Sequence, residues 1–126
     1  MRIVAGLYGG RRLQVPKNRD IRPTSDKVRG AIFNALASRG VVDGVRVLDL
    51  FCGTGALGLE ALSRGAVYCT FVDKVRESLD LAKANTASLG ADELAAFLLQ
   101  DATKISDMPE PYDLVFLDPP YGKDLT

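Results

Sequence analysis

Val45-Arg46-Val47-Leu48-Asp49-Leu50-Phe51-Cys52-Gly53-Thr54-Gly55-Ala56-Leu57-Gly58 reads as an apolar strand over 45–50 that runs into a glycine turn and opens a helix over 56–64. Gly53, Gly55 and Gly58 have the spacing G-x-G-x-x-G in the strand–turn–helix context that gives the motif meaning. Glycines there let the backbone turn tightly and approach a ligand, and the helix N-terminus favours a negative group. The alternation repeats downstream. A strand over 67–72 is followed by a helix over 75–89 closed by Gly90, then by strands over 94–99 and 113–117. Near-continuous apolar strands alternating with helices predict an α/β fold, a mostly parallel sheet with helices on both faces.

Upstream, 3–7 and 12–15 are short β-prone runs around Gly9-Gly10, which predicts a hairpin with Arg11 and Arg12 at its turn. A polar connector over 16–23 leads to a helix with Thr24 or Ser25 as N-cap and Gly40 past its end. Val28, Ile32, Ala35 and Leu36 are its predicted apolar stripe. The organisation expected is a basic β-hairpin arm over 1–20 and part of a larger domain over 21–126. The chain stops shortly after its fourth central strand. That predicts either further chain beyond Thr126 or a second polypeptide over an apolar edge that soluble proteins avoid exposing.

Composition narrows the chemistry. A content of 47% hydrophobic and 25% charged residues is that of a soluble globular protein, with no apolar stretch of membrane-spanning length and no signal-like start. We read the protein as cytoplasmic. Cys52 and Cys69 are too few for a disulfide framework or a thiolate zinc site, and no metal is expected. Histidine is absent, which removes Ser-His-Asp and Cys-His catalysis and imidazole acid–base work. The zero net charge hides an asymmetry: residues 1–40 carry nine bases against two acids, and 41–126 carry seven bases against fourteen acids. A basic end on an acidic body suggests a polyanion-binding arm, with Arg2, Arg11, Arg12, Lys17, Arg19, Arg22 and Arg29 as candidate contacts. The plainer alternative is a solvated basic surface.

Acids gather at the predicted strand ends. Asp73 closes the second strand, 18 residues after Gly55, where a carboxylate can accept both hydroxyls of a ribose. Asp49 precedes the glycine turn and is suited to an ammonium group. Asp101 follows the third strand and is suited to an adenine amine. Three acids suit S-adenosylmethionine, whose sulfonium and ammonium are cationic, and would repel a pyrophosphate. An NAD-binding Rossmann oxidoreductase is the alternative from another class. After the fourth strand comes Asp118-Pro119-Pro120-Tyr121. The carboxylate and a carbonyl held by proline rigidity can accept from an NH2 group, and the Tyr ring offers a stacking face for a planar base. An ordinary strand-ending turn would use similar residues.

Arg22-Pro23-Thr24-Ser25-Asp26-Lys27-Val28-Arg29, the segment from Asp49 to Gly65 and Asp118-Pro119-Pro120-Tyr121 together resemble the RsmD-type 16S rRNA guanine-N2 methyltransferases, as do Arg2–Gly6 and Gly10–Leu13. The glycine loop is common to class I methyltransferases and the D-P-P-Y tetrapeptide to many amino-group methyltransferases; the R-P-T-x-D-x-V-R block is the specific part. The resemblance covers the family's amino-terminal two-thirds. It implies a class I S-adenosylmethionine-dependent fold, Rossmann-like, and methyl transfer to guanine N2 of small-subunit ribosomal RNA, with S-adenosylhomocysteine as product. Asp118, Pro119, Pro120 and Tyr121 are then the catalytic set. Chain neighbours Phe51, Thr54, Lys74 and Ala102, with Thr24 of the R-P-T block, complete the cofactor contacts around Asp49, Gly53, Gly55, Asp73 and Asp101. The expected partner is ribosomal RNA or the small subunit, with no membrane and a monomeric enzyme. A DNA adenine or cytosine amino methyltransferase and a non-catalytic RNA-binding fragment are the other readings. Gly30 departs from the family, which usually has Glu there.

Overall fold

In the computed structural model, which describes residues 1–15, 26–50, 52–101 and 112–117, strands β1 (Arg46–Leu50), β2 (Tyr68–Asp73), β3 (Ala95–Leu99) and β4 (Leu114–Leu117) form one sheet. All pairings are parallel and the order is β3-β2-β1-β4. The chain therefore moves outward from β1 to β3 and then returns to the other side of β1. Leu50 pairs with Val72 and Leu117, and Asp73 with Leu99, so all four strands end at one edge. The helices are α1 (Asp26–Ser38), α2 (Ala56–Ser63) and α3 (Arg76–Ser88), with a 3-10 turn at Asp92–Leu94. Each predicted strand of the central sheet and each predicted helix is present within a residue or two of its expected ends. None of these helices is long and apolar enough to cross a membrane.

Apolar residues two apart on β1 and its neighbours share a face, which is why Val47, Cys69, Phe71 and Phe116 meet Leu59, Leu62, Leu79, Ala82 and Phe33 in one core. Phe71 stacks on Phe97 and Phe33 tilts against Phe116, both at 5.2 Å between ring centroids. The two cysteines pack there as apolar residues. Burial, reinforced by the Asp49 and Asp73 carboxylates, pushes the Cys52 thiol up, and burial likewise raises Cys69. Leu48, Thr70 and Val72 on the opposite face are buried as well.

One sequence-based expectation fails at α1. Val28 and Ile32 are exposed, and the buried face is Arg29, Gly30 and Phe33, with Leu36 partly buried. The helix turns an arginine inward because a carboxylate waits for it. Glu60 of α2 is fully buried, and its oxygens accept from Arg29 Nε (3.3 Å) and Arg64 Nε (2.8 Å). The same carboxylate accepts from the amides of Val4 (2.9 Å) and Ala5 (3.2 Å). Arg29 Nη2 donates to Asp26 Oδ1 (2.8 Å) and to the Arg2 carbonyl. Burial works against ionising Asp26, but the Arg29 hydrogen bond and the Arg2 amide outweigh it and hold its carboxyl below the ordinary range.

The predicted hairpin is shorter than its two β-prone runs. A single antiparallel bridge joins Arg2 to Arg12, flanked by Ile3 N to Arg11 O and Leu13 N to Met1 O, both 2.9 Å. Residues 5–10 turn instead of extending, because their amides bond elsewhere: Leu7 N donates to the Ser63 carbonyl and Tyr8 N to Ser63 Oγ. Ile3 and Leu13 insert into the core. A Cβ at Gly30 would lie 3.3 Å from Val4 Cγ1, so the glycine gives the arm its seat on α1. Replacing Glu60 with Gln should leave the Arg29 charge buried beside a neutral amide. We expect urea unfolding to show a loss of about 3–5 kcal/mol, as for a buried ion pair broken from one side.

Candidate active site at the carboxyl edge of the sheet

In an open parallel sheet, ligands bind outside the carboxyl ends of the strands where the order reverses. Here that point lies between β1 and β4. The glycine loop leaves β1 there, and the chain leaves β4 after Leu117 with Asp118 next in sequence. Asp118, Pro119, Pro120 and Tyr121 lie outside the described residues, as do Thr24, Phe51, Ala102, Lys17, Arg19 and Arg22.

The loop itself is tightly built. Gly55 has φ +84° and Gly53 φ +53°, both left-handed values that favour glycine. A Cβ at Gly53 would meet nothing within 4 Å, so that residue faces open space. A Cβ at Gly58 would fall 2.5 Å from Phe71 Cε1 and 2.6 Å from Cys69 Sγ, so the third glycine lets α2 lie directly on the sheet. Asp73 accepts from Gly53 N through Oδ2 (3.0 Å) and from Val75 N through Oδ1 (2.9 Å). A carboxylate offers about four acceptor positions, so Asp73 retains capacity for two ligand hydroxyls. Lys74 is exposed and Asp101 half-buried at the same edge.

Three expected contacts are corrected. Asp49 is 1% exposed and turned toward α2, where Oδ2 accepts from Gly58 N (3.0 Å). It supports the helix start from beneath, in place of the direct ammonium contact its spacing suggested. Thr54 is buried, its hydroxyl donating to Met1 Sδ (3.6 Å) and accepting from Ala56 N (3.3 Å), so its side chain faces the arm. Arg29, expected to grip phosphates, is fully buried in the Glu60 cluster. Arg2, Arg11 and Arg12 are exposed, although Arg11 Nη2 also donates to the Ser88 carbonyl at 2.6 Å.

The donor account discriminates between ligands. A pyrophosphate at such a loop needs free amides at the helix start and no negative charge there. The amides of Gly53, Gly55, Ala56 and Gly58 are engaged by Asp73, Cys52 O, Thr54 Oγ1 and Asp49. Two of those partners are carboxylates. With two carboxylates set on its amides, the loop suits a cationic, hydroxyl-bearing nucleoside better than a diphosphate.

Comparison with known proteins agrees with this architecture. The family model described as conserved hypothetical protein 95 matches residues 1–126. The chain belongs to that family. Ribosomal RNA small subunit methyltransferase D of Escherichia coli K12, a curated member of the RsmD type, is 39% identical over 132 residues, covering 99% of this chain and 62% of that protein. YlbH of Bacillus subtilis is 38% identical over 125 residues, covering 96% and 67%. The solved yhhF structure of Escherichia coli superposes with a TM-score of 0.84 at 38% identity, covering 100% of this chain and 67% of that one. The chain thus spans about two thirds of the length of the relatives it matches. The fold is the Rossmann-like α/β fold of class I methyltransferases.

Two residues of this family member escaped the sequence reading. Glu60 interrupts the apolar run Ala56-Leu57-Gly58-Leu59-Glu60-Ala61-Leu62, and a lone acid in such a helix is the signal for a buried partner. Asn85 carried no such mark. For the loop, we expect Gly58→Ala to overpack against Phe71 and Cys69, costing about 1–3 kcal/mol in urea unfolding. Gly53→Ala should cost roughly 1–2 kcal/mol from left-handed strain alone. A fall in ligand affinity beyond that strain would report direct contact above Gly53.

Proposed function

We propose that this protein transfers the methyl group of S-adenosylmethionine to the exocyclic N2 of a guanine in small-subunit ribosomal RNA. The observation that carries the reading is the switch point. A glycine loop whose amides are held by carboxylates adjoins the strand that leads into Asp118-Pro119-Pro120-Tyr121. A relative of 39% identity bearing the name ribosomal RNA small subunit methyltransferase D supports the choice of RNA.

When bound, S-adenosylmethionine supplies an electrophilic methyl on a cationic sulfonium. Asp73 accepts from the ribose hydroxyls with its remaining lone pairs, Asp101 accepts from the adenine amine, and Gly53 leaves room for the donor above the loop. Thr24, Phe51, Lys74 and Ala102 belong to the same contact set in this reading. Asp118 and the Pro119 carbonyl accept from the guanine N2 amine, which draws its nitrogen toward tetrahedral geometry and localises the lone pair. Pro120 stiffens that turn, and Tyr121 stacks on a base taken out of its helix. Asp118 orients the amine, and after transfer the methylated N2 loses its proton to solvent, with S-adenosylhomocysteine as the other product.

Arg2 and Arg12 lie opposite each other in a non-hydrogen-bonded antiparallel pair, the geometry that brings side chains closest. Like charges so placed repel, and a phosphate between them would reverse the sign of that interaction. Lys17 and Arg19 of the basic arm over 1–20, and Arg22 just after it in sequence, add positive charge for the same RNA. The reading takes the protein as a monomer acting in the cytoplasm on ribosomal RNA or the small subunit.

Calorimetry with S-adenosylmethionine and with NAD tests the donor; binding of NAD alone would refute the methyltransferase reading. Asp118→Ala should lower methyl transfer to unmodified small-subunit RNA by roughly 100-fold or more while leaving donor affinity near wild type. Undiminished transfer would remove the role assigned to the acid.

A further inference from the structure

Asn85 is 1% exposed on α3, and its amide grips two separate parts of the molecule. Oδ1 accepts from Gln14 N (2.7 Å), and Nδ2 donates to the Gln14 carbonyl (3.1 Å) and to the Thr54 carbonyl (2.9 Å). A primary amide has one oxygen and two N–H donors, and here every one is engaged. The two bonds to Gln14 imitate the exchange between paired strands, so α3 holds the arm as a neighbouring strand would. The third bond ends in the middle of the glycine loop, between Gly53 and Gly55. A parallel tie runs from Thr54 Oγ1 to Met1 Sδ, and the Met1 carbonyl accepts from Leu13 N.

We infer that Asn85 is a positioning residue that couples occupation of the glycine loop to polyanion binding by the arm. The inference rests on the proposed function, in which the loop holds the methyl donor and the arm meets RNA. The Thr54 carbonyl and the Gly55 amide belong to one planar peptide and turn together. A ligand that fixes the loop therefore fixes the acceptor of Asn85 Nδ2, and with it the amide that aligns Gln14. Gln14 lies two residues beyond Arg12, which bridges to Arg2. Once one ligand has ordered this path, the second meets a smaller ordering cost, so each tightens the other by the same factor.

The test combines amide hydrogen exchange with a binding cycle, using S-adenosylhomocysteine and unmodified small-subunit RNA as probes. In the wild type, S-adenosylhomocysteine should slow exchange of the Gln14 amide and tighten RNA binding by roughly 5-fold or more. Asn85→Ala should bring that ratio close to one. Arg12→Ala should weaken RNA binding while keeping the ratio, since it leaves the path intact. An Asn85→Ala protein with lowered melting temperature but an unchanged ratio would mean a purely structural role and overturn the coupling. So would wild-type protein that binds S-adenosylhomocysteine with neither Gln14 exchange nor RNA affinity altered. Failure to bind S-adenosylhomocysteine at all would instead refute the proposed function, and the coupling with it. Should the Asn85 variant not fold, the two wild-type measurements decide alone.

Discussion

A carboxylate with no exposure must be compensated from inside the protein, and Glu60 is compensated from three directions. Arg29 reaches it from α1, Arg64 from the position just past the end of α2, and two amides from the amino-terminal arm. Arg64 also lies over the Phe33 ring at 5.5 Å and donates to Asn34 Oδ1 at 3.0 Å, so the cation is shared with α1. Buried ion clusters add little net stability over apolar packing, because desolvation consumes most of the attraction. What this one supplies is uniqueness. Apolar packing of Ile3, Leu13, Phe33, Leu59 and Leu62 brings the arm, α1 and α2 together, and a charge that tolerates only one arrangement fixes their mutual angle.

That arrangement determines the site. With α2 held, its first turn stands over the end of β1, and Asp49 and Asp73 take the amides that a phosphate-binding loop would leave open. The same motif spacing can serve a dinucleotide or a sulfonium nucleoside; the strand-end acids decide between them by taking two of the amides and setting the charge. The glycine spacing alone is therefore a statement about backbone shape. The chemistry comes from the carboxylates packed around it.

The parallel α/β class, the strand ends and the helix positions were legible because they follow from periodicity, and periodicity survives in a single sequence. The inner face of α1 was not. A pattern reader places Val28 and Ile32 inside and Arg29 outside, since arginine is charged; the opposite holds because Glu60, 31 residues away, meets it. Asp49 was misread for a related reason: spacing put it near the loop, but only the fold shows that its carboxylate turns inward to Gly58. Asn85 was invisible, because its function is three hydrogen bonds to backbone atoms of distant residues, and backbone atoms leave no trace in composition. Long-range polar contacts of this kind are the part of a fold that local sequence cannot encode.

The basic arm changes meaning once its packing is known. Nine bases in the first forty residues suggested a polyanion-binding extension, yet Arg29 is withdrawn into the core with Asp26 as partner. Removing that pair leaves eight bases against one acid, so the asymmetry survives the loss. More important, the arm is stitched to α2 through Glu60 and Ser63 and to α3 through Asn85 and Ser88. A tail could gather RNA but not aim it. Under the proposed reading, amine methylation needs alignment more than proton chemistry, since the electrophile is already competent and the chain offers no imidazole. An arm anchored to the two helices that follow β1 and β2 carries its charges in the same frame as the loop, and that shared frame is what in-line attack requires.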